Sequence, residues 1–126
     1  MCKKLILIGH NNLGKAIYDT CLTLGADVKN IDYVNFDNST PPSVLKSELE
    51  TKIKNLNSIF IIVDFIGGTP FNVSMELKNK HKDKNIKIIT SLNVPLVLEL
   101  GFSLALKNEL NLEQIIEKIK NLIKVF

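Results

Sequence analysis

The chain contains no arginine: all 16 basic residues are lysines, set against 13 acidic residues for a formal net charge of +3. A planar, bidentate clamp on a phosphate therefore cannot be built from this subunit alone. A bound anion must rely on backbone N–H groups, hydroxyls, a helix terminus or lysine. So small a charge excess gives no ground for a nucleic acid partner or a membrane surface. Cysteine is scarce too. Cys2 and Cys21 make no disulfide framework, and a reducing, cytoplasmic setting is expected. Cys21 falls on the apolar face of a predicted helix and reads as a core thiol; Cys2 is assigned no role. No hydrophobic run approaches a membrane span. The apolar stretch behind Lys3-Lys4 is too short for a signal peptide and lacks a cleavage site. Repeats, linkers and low-complexity segments are absent. With 126 residues, 45% hydrophobic and 23% charged, residues 1–126 are expected to form one soluble domain.

Strand and helix patterns alternate with short connections, which points to an α/β fold: a three-layer open sheet of parallel strands flanked by helices. Leu5 to Ile8 reads as the first strand. A helix is predicted from Leu13 to Leu24, with Leu13, Ala16, Ile17, Cys21 and Leu24 on its apolar stripe and Gly25 as its stop. Val28 to Phe36 is a mixed strand expected near an edge. The turn residues Asp37 to Pro42 introduce a second helix, Ser43 to Asn55, with Leu45, Leu49, Ile53 and Leu56 at helical spacing. Ile59 to Asp64 is the strongest strand, apolar throughout and so central. Thr69 or Pro70 opens a third helix to about Lys80. Ile86 to Thr90 is a fourth strand; helices follow from Asn93-Val94-Pro95 to about Leu106 and from Leu112 to about Asn121. The tail Leu122 to Phe126 alternates and reads as a closing strand. The lysine-rich stretch around His81 reads as a solvated helix end and loop.

Two strand ends carry the chemistry. The first apolar run is followed at once by Gly9-His10, and the third ends in Asp64 before Gly67-Gly68-Thr69-Pro70. With the strands in order 2-1-3-4, these ends are neighbours, and the helices leaving them part to open a crevice. His10 and Asp64 would then flank that crevice within hydrogen-bonding reach. A carboxylate on one ring nitrogen fixes the tautomer and presents the other nitrogen as a nucleophile. The glycine pair permits close approach, and free N–H groups at the next helix N-terminus favour an anion. Thr69 adds a hydroxyl. Phosphoryl transfer requires mainly such positioning and charge stabilisation. Each residue alone reads as a turn, cap or incidental histidine; their convergence on one crevice carries the argument. Asn11, Phe71, Asn93 and Pro95 are candidates for the cleft lining. No metal or cofactor is assigned.

At these residues the chain resembles the enzyme IIA component of the mannose-family sugar phosphotransferase system. Family members show a strand ending Thr-His-Gly, a later strand ending Asp-Leu-Phe-Gly-Gly-Ser-Pro-Phe-Asn, then Asn-Leu-Pro-Met. This chain has Ile8-Gly9-His10-Asn11, then Asp64-Phe65-Ile66-Gly67-Gly68-Thr69-Pro70-Phe71-Asn72, then Asn93-Val94-Pro95-Leu96. The resemblance implies a phosphocarrier. It would accept phosphoryl on His10 from the phosphorylated histidine-containing phosphocarrier protein and pass it to a IIB component, which serves a membrane permease. Asp64 would orient the imidazole, and Gly67, Gly68 and Thr69 would hold the phosphoryl oxygens. The resemblance further implies a four-stranded parallel sheet and a homodimer exchanging the C-terminal strand, compatible with the alternating tail. Asn11 stands where the family has glycine, and Thr69 where it has serine. With no IIB domain following, the chain reads as a free-standing component or one gene product of several.

Three other readings compete. The phosphocarrier subunit serving dihydroxyacetone kinase has a similar strand–His start but usually lacks the Gly-Gly-Thr-Pro-Phe-Asn region. A receiver-like signalling domain phosphorylated on Asp64 would need an acidic pair after the first strand, where this chain has Gly9-His10-Asn11. A purely structural or ligand-binding flavodoxin-like module would not be phosphorylated at all.

Overall fold

The computed structural model describes residues 3–106 and 110–126. Four strands, β1 (Lys3–His10), β2 (Ile31–Phe36), β3 (Ser58–Val63) and β4 (Asn85–Ile89), alternate with helices α1 (Leu13–Thr23), α2 (Pro42–Ile53), α3 (Thr69–Lys80) and α4 (Val94–Ala105); α5 (Leu112–Lys120) follows. All the strand pairs are parallel, and the order is β2-β1-β3-β4. The central strands β1 and β3 are apolar on both faces because both faces are covered. Ile6, Ile8, Ile59, Ile61 and Val63 pack beneath α2 and α3, against Leu45, Leu49, Ile53, Val73 and Leu77. Leu5, Leu7, Phe60 and Ile62 pack on the opposite face, against Ile17 and Cys21 of α1 and Leu96, Val97 and Leu100 of α4. The period-two alternation of each strand divides its side chains between these two cores.

This topology positions the site. α1 leaves β1 toward one face and α3 leaves β3 toward the other, so a crevice opens between the carboxyl ends of β1 and β3. A loop after β4 closes its far side, tied to β3 by a hydrogen bond from Leu92 N–H to the Val63 carbonyl (3.0 Å).

Several details differ from the sequence expectation. β1 continues through His10 itself, because the β2 edge pairs that far: His10 aligns with Phe36. β2 starts only at Ile31, since Val28 to Asn30 lie outside the ladder with β1. α1 buries only part of the predicted stripe, Ile17 and Cys21, and its inward face is rotated toward Gly14. Gly14, Ile17 and Cys21 are buried, while Leu13, Ala16 and Leu24 are exposed. Gly14 has no side chain, so the helix backbone can settle onto β1, and that contact sets its rotation. His81 is not simply solvated: half-buried at the end of α3, its Nε2 lies 3.3 Å from Glu50 of α2, which also meets Lys80 at 2.9 Å. The tail forms no strand within the chain. A turn at residues 121–122 is followed by an irregular segment in which Ile123, Val125 and Phe126 are exposed. A strand needs a partner edge, and this segment pairs with none.

The packing of α1 predicts an inverted substitution effect. A Cβ at Gly14 would stand 2.9 Å from the Leu7 carbonyl oxygen and 3.3 Å from that of Val34, both backbone atoms of the sheet. Alanine favours a helix by about 1 kcal/mol over glycine, yet Gly14→Ala is expected to destabilise the fold by about 1–3 kcal/mol through overpacking. Urea denaturation measures this, and a stabilised variant would refute the close contact.

Candidate functional site

His10 ends β1 and Asp64 follows the last residue of β3, so neighbouring strands present them together. Asp64 Oδ2 accepts two hydrogen bonds from His10: one from the backbone N–H at 2.9 Å and one at the ring Nδ1 at 2.6 Å. Its other oxygen, Oδ1, accepts from the Phe65 N–H at 3.1 Å. The carboxylate side chain is 11% exposed and the imidazole 33%. Burial pushes the Asp64 carboxyl upward, but the His10 backbone N–H, the His10 ring and its charge, and the Phe65 N–H together outweigh it. The net result is a carboxyl held below its ordinary value of 3.8. Asp64 is thus an ionised acceptor. With Nδ1 committed to it as donor, the ring presents Nε2 as a nitrogen with a free lone pair.

Three further groups confine the ring. Phe65 stacks on it, with centroids 5.2 Å apart and planes at 13°. Phe36 meets it edge-on at 5.7 Å. Gly68 lies so close that a Cβ there would stand 3.2 Å from His10 Cε1 and 3.0 Å from the Phe65 ring. A Cβ there would press on both rings, and glycine avoids this. Gly67 makes the turn with φ +88, in the left-handed region that glycine enters without strain. The Asn72 side chain donates to the Gly67 carbonyl and braces the loop. Asn72 N–H bonds to the Gly68 carbonyl as α3 begins. Pro70 has no N–H, so the backbone N–H groups of Thr69 and Phe71 are left without an intrahelical partner at the crevice end.

The candidate residues do not all play one part. His10, Asp64 and Gly68 are brought together directly, with Gly67 and Thr69 adjoining. Asn11 follows the imidazole with φ +57, and its N–H donates to the Phe36 carbonyl. Asparagine tolerates this conformation better than most residues, so the backbone path that glycine would favour there is retained. Asn93 caps α4: its side chain accepts from Leu96 N–H at 2.9 Å and donates to the Ser91 carbonyl. Asn93 and Pro95 line a groove of about 700 Å³ that Asp64 shares with Thr90 and Ser91. Phe71 is instead half-buried against the core on the α2–α3 face. Sequence reasoning missed Phe65 and Phe36. The signal for Phe65 was an aromatic residue between the strand-end aspartate and the glycine pair; Phe36 could be placed only once its register opposite His10 was known.

An open parallel sheet with an oriented imidazole at its switch point, beside a glycine loop and a helix N-terminus, defines the protein's class: an open α/β protein with its candidate site at the carboxyl edge of the sheet. Residues 4–120 match the family described as PTS system fructose IIA component. The chain belongs to this mannose-type EIIA family and is a IIA component, a phosphocarrier of the sugar phosphotransferase system. The PTS system sorbose-specific EIIA component of Lacticaseibacillus casei is 25% identical, over 98% of this chain and 87% of its own length. Among solved structures, the phosphotransferase component EIIA of Streptococcus agalactiae superposes with a TM-score of 0.82 at 24% identity, covering 94% of this chain and 90% of that one. The PTS IIA protein associated with the fucose utilization operon of Streptococcus pneumoniae gives 0.85 at 19% identity, covering 99% and 93%. These structural likenesses bear on the fold.

The lowered Asp64 value fixes the sign of an acid effect. A carboxyl depressed in the folded state stabilises the fold above its unfolded value, and that contribution is lost as pH falls through the folded value. Asp64→Asn is expected to cost about 1–3 kcal/mol near neutrality, the range for charge-assisted hydrogen bonds. The gap between native protein and variant should narrow below the ordinary value of 3.8. Chemical denaturation across acid pH measures it; a gap that widens there would contradict the assignment of Asp64 as the ionised acceptor.

Proposed function

We propose that His10 is the phosphoryl acceptor and that Nε2 is the atom that bonds to phosphorus. One observation carries this reading: Nδ1 is held by Asp64 at 2.6 Å, leaving Nε2 as the nucleophile. The Nε2 lone pair forms the new P–N bond while the donor's P–N bond breaks and its electron pair returns to the donor nitrogen. Nδ1 keeps its proton, so the ring becomes positive, and the Asp64 carboxylate opposite stabilises it. Gly67, Gly68 and Thr69 receive the phosphoryl oxygens through backbone N–H groups and the threonine hydroxyl. This cradle suits a subunit without arginine.

On this reading the donor is the phosphorylated histidine-containing phosphocarrier protein and the acceptor is a IIB component, so the membrane permease is served indirectly. Residues 1–126 act as one domain. Among the described residues no helix is long and apolar enough to cross a membrane, and the exchange is assigned to the cytoplasm, in keeping with the free thiol of Cys21. The active form is proposed to be a homodimer. Two features support this: β4 stands at the edge of the sheet, and Ile123, Val125 and Phe126 extend beyond α5 as exposed apolar groups. A second copy's tail could pair along such an edge and so remove it from solvent.

Phosphoryl transfer from the labelled phosphocarrier protein tests the acceptor. His10→Ala should lose all label, and the native adduct should be acid-labile and alkali-stable, with phosphorus-coupled NMR locating it on Nε2. Undiminished labelling of His10→Ala, or an adduct cleaved by hydroxylamine as an acyl phosphate on Asp64 would be, overturns the proposal. Asp64→Asn should slow acceptance by about 10²- to 10⁴-fold, the scale of losing an orienting carboxylate in other histidine-dependent enzymes. Deleting residues 122–126 should weaken dimerisation in sedimentation velocity; an unchanged dimer would dismiss the tail from the interface.

A further inference from the structure

We propose that Phe65 is a positioning residue for phosphoryl transfer: its ring holds the His10 imidazole in place and stabilises the positive ring that phosphorylation creates. The inference rests on the reading of His10 as acceptor.

Four observations converge. The two rings are nearly parallel, at 13° and 5.2 Å between centroids, within the roughly 6 Å over which an aromatic face attracts a cation. Asp64 sets both rings: Oδ2 takes the two His10 hydrogen bonds and Oδ1 takes the Phe65 N–H. Gly68 lies where they meet, since a Cβ there would press on Phe65 Cζ at 3.0 Å and His10 Cε1 at 3.2 Å. Finally, Phe65 is 52% exposed. Its packing therefore contributes little to the core, and its contact with His10 stands out.

The chemistry follows from charge. The nucleophilic form of the ring carries one proton, on Nδ1, and gains only ordinary stacking from Phe65. After the Nε2–P bond forms and the donor's bond breaks, the ring carries a positive charge that Asp64 balances along one edge and the phenyl face meets from above. The phenyl face favours the charged ring over the neutral one, so Phe65 draws the equilibrium toward the phosphorylated carrier. An aliphatic side chain of similar bulk would keep the contact and lose the charge preference. Tyrosine would keep both.

The test compares the full chain with Phe65→Leu and Phe65→Tyr, mixed with the phosphorylated histidine-containing phosphocarrier protein until the phosphoryl distribution is constant. Phe65→Leu should shift the equilibrium toward the donor by about three- to tenfold, the scale of a partly exposed cation–aromatic contact. Phe65→Tyr should stay within about twofold of the native protein. In Phe65→Leu the His10 ring-proton NMR signals should move downfield as the ring current disappears. An equilibrium unchanged in Phe65→Leu overturns the inference, as does equal impairment in both variants, or a slower rate with an unaltered equilibrium. His10→Ala, run alongside, separates the two layers. Label persisting on it defeats the acceptor reading itself. Label lost there, with Phe65 variants indistinguishable from native, defeats only the role of Phe65.

Discussion

The site depends on one hydrogen-bonded pair, the His10 ring against the Asp64 carboxylate, made across two neighbouring parallel strands. That pair exists only because of register. Ile8 lies opposite Val63 in the β1–β3 ladder, and His10 and Asp64 extend just beyond it from the same sheet edge. A slip of one residue would turn every apolar side chain of a doubly covered strand to the wrong face. The cores on both faces therefore enforce the geometry of the pair. Isoleucine and leucine packing, far from any chemistry, sets where the imidazole stands.

The rest of the site is built from backbone rather than charge. The glycine turn closes on the ring, the α3 N-terminus offers N–H groups, and no arginine exists in the chain to add a fixed cation. This division fits a carrier. A site that must accept a group from one protein and surrender it to another gains nothing from binding it as tightly as possible. Interactions that orient without clamping keep donor and acceptor states close in free energy, and only then can a relay run in both steps. The same logic leaves sugar identity unwritten here, because the subunit meets phosphoryl groups and protein surfaces.

Much of this was legible in the residues. Continuous β-branched runs announced the buried strands, and turn and proline signals placed α2, α3 and α4 to within a residue or two. The strand order 2-1-3-4, taken as one of the orders an open α/β sheet adopts, is the one observed, and the crevice comes with it. What escaped was decided by tertiary contact. The inward face of α1 was read only in part: Ile17 and Cys21 are buried as expected, but its closest approach to the sheet is made by Gly14 rather than by Leu13 or Ala16. The tail alternates like a strand, but alternation supplies no partner edge. Phe65 is apolar and exposed, a combination that sequence reading dismisses as loop character, and only coordinates show the imidazole beneath it. His81 looked solvated by its lysine neighbours, yet Glu50 of a different helix reaches it.

That contrast also accounts for the family's sequence tolerance. The Streptococcus agalactiae structure keeps a TM-score of 0.82 at 24% identity. Such divergence is expected when the fold asks for an apolar period and correct volumes rather than for particular side chains. The tightest geometric demands of the site lie at a few backbone positions and one pair of side chains: a residue able to adopt the turn at Gly67, the close approach at Gly68, the imidazole and its carboxylate. The turn at Gly67 is imposed by its φ of +88 and the imidazole–carboxylate pair by a 2.6 Å contact, whereas a core position can trade one aliphatic shape for another at a cost of typically less than about 1.5 kcal/mol. A scaffold position can thus vary within its volume, whereas the imidazole and its carboxylate are tied to each other by a 2.6 Å contact across two strands.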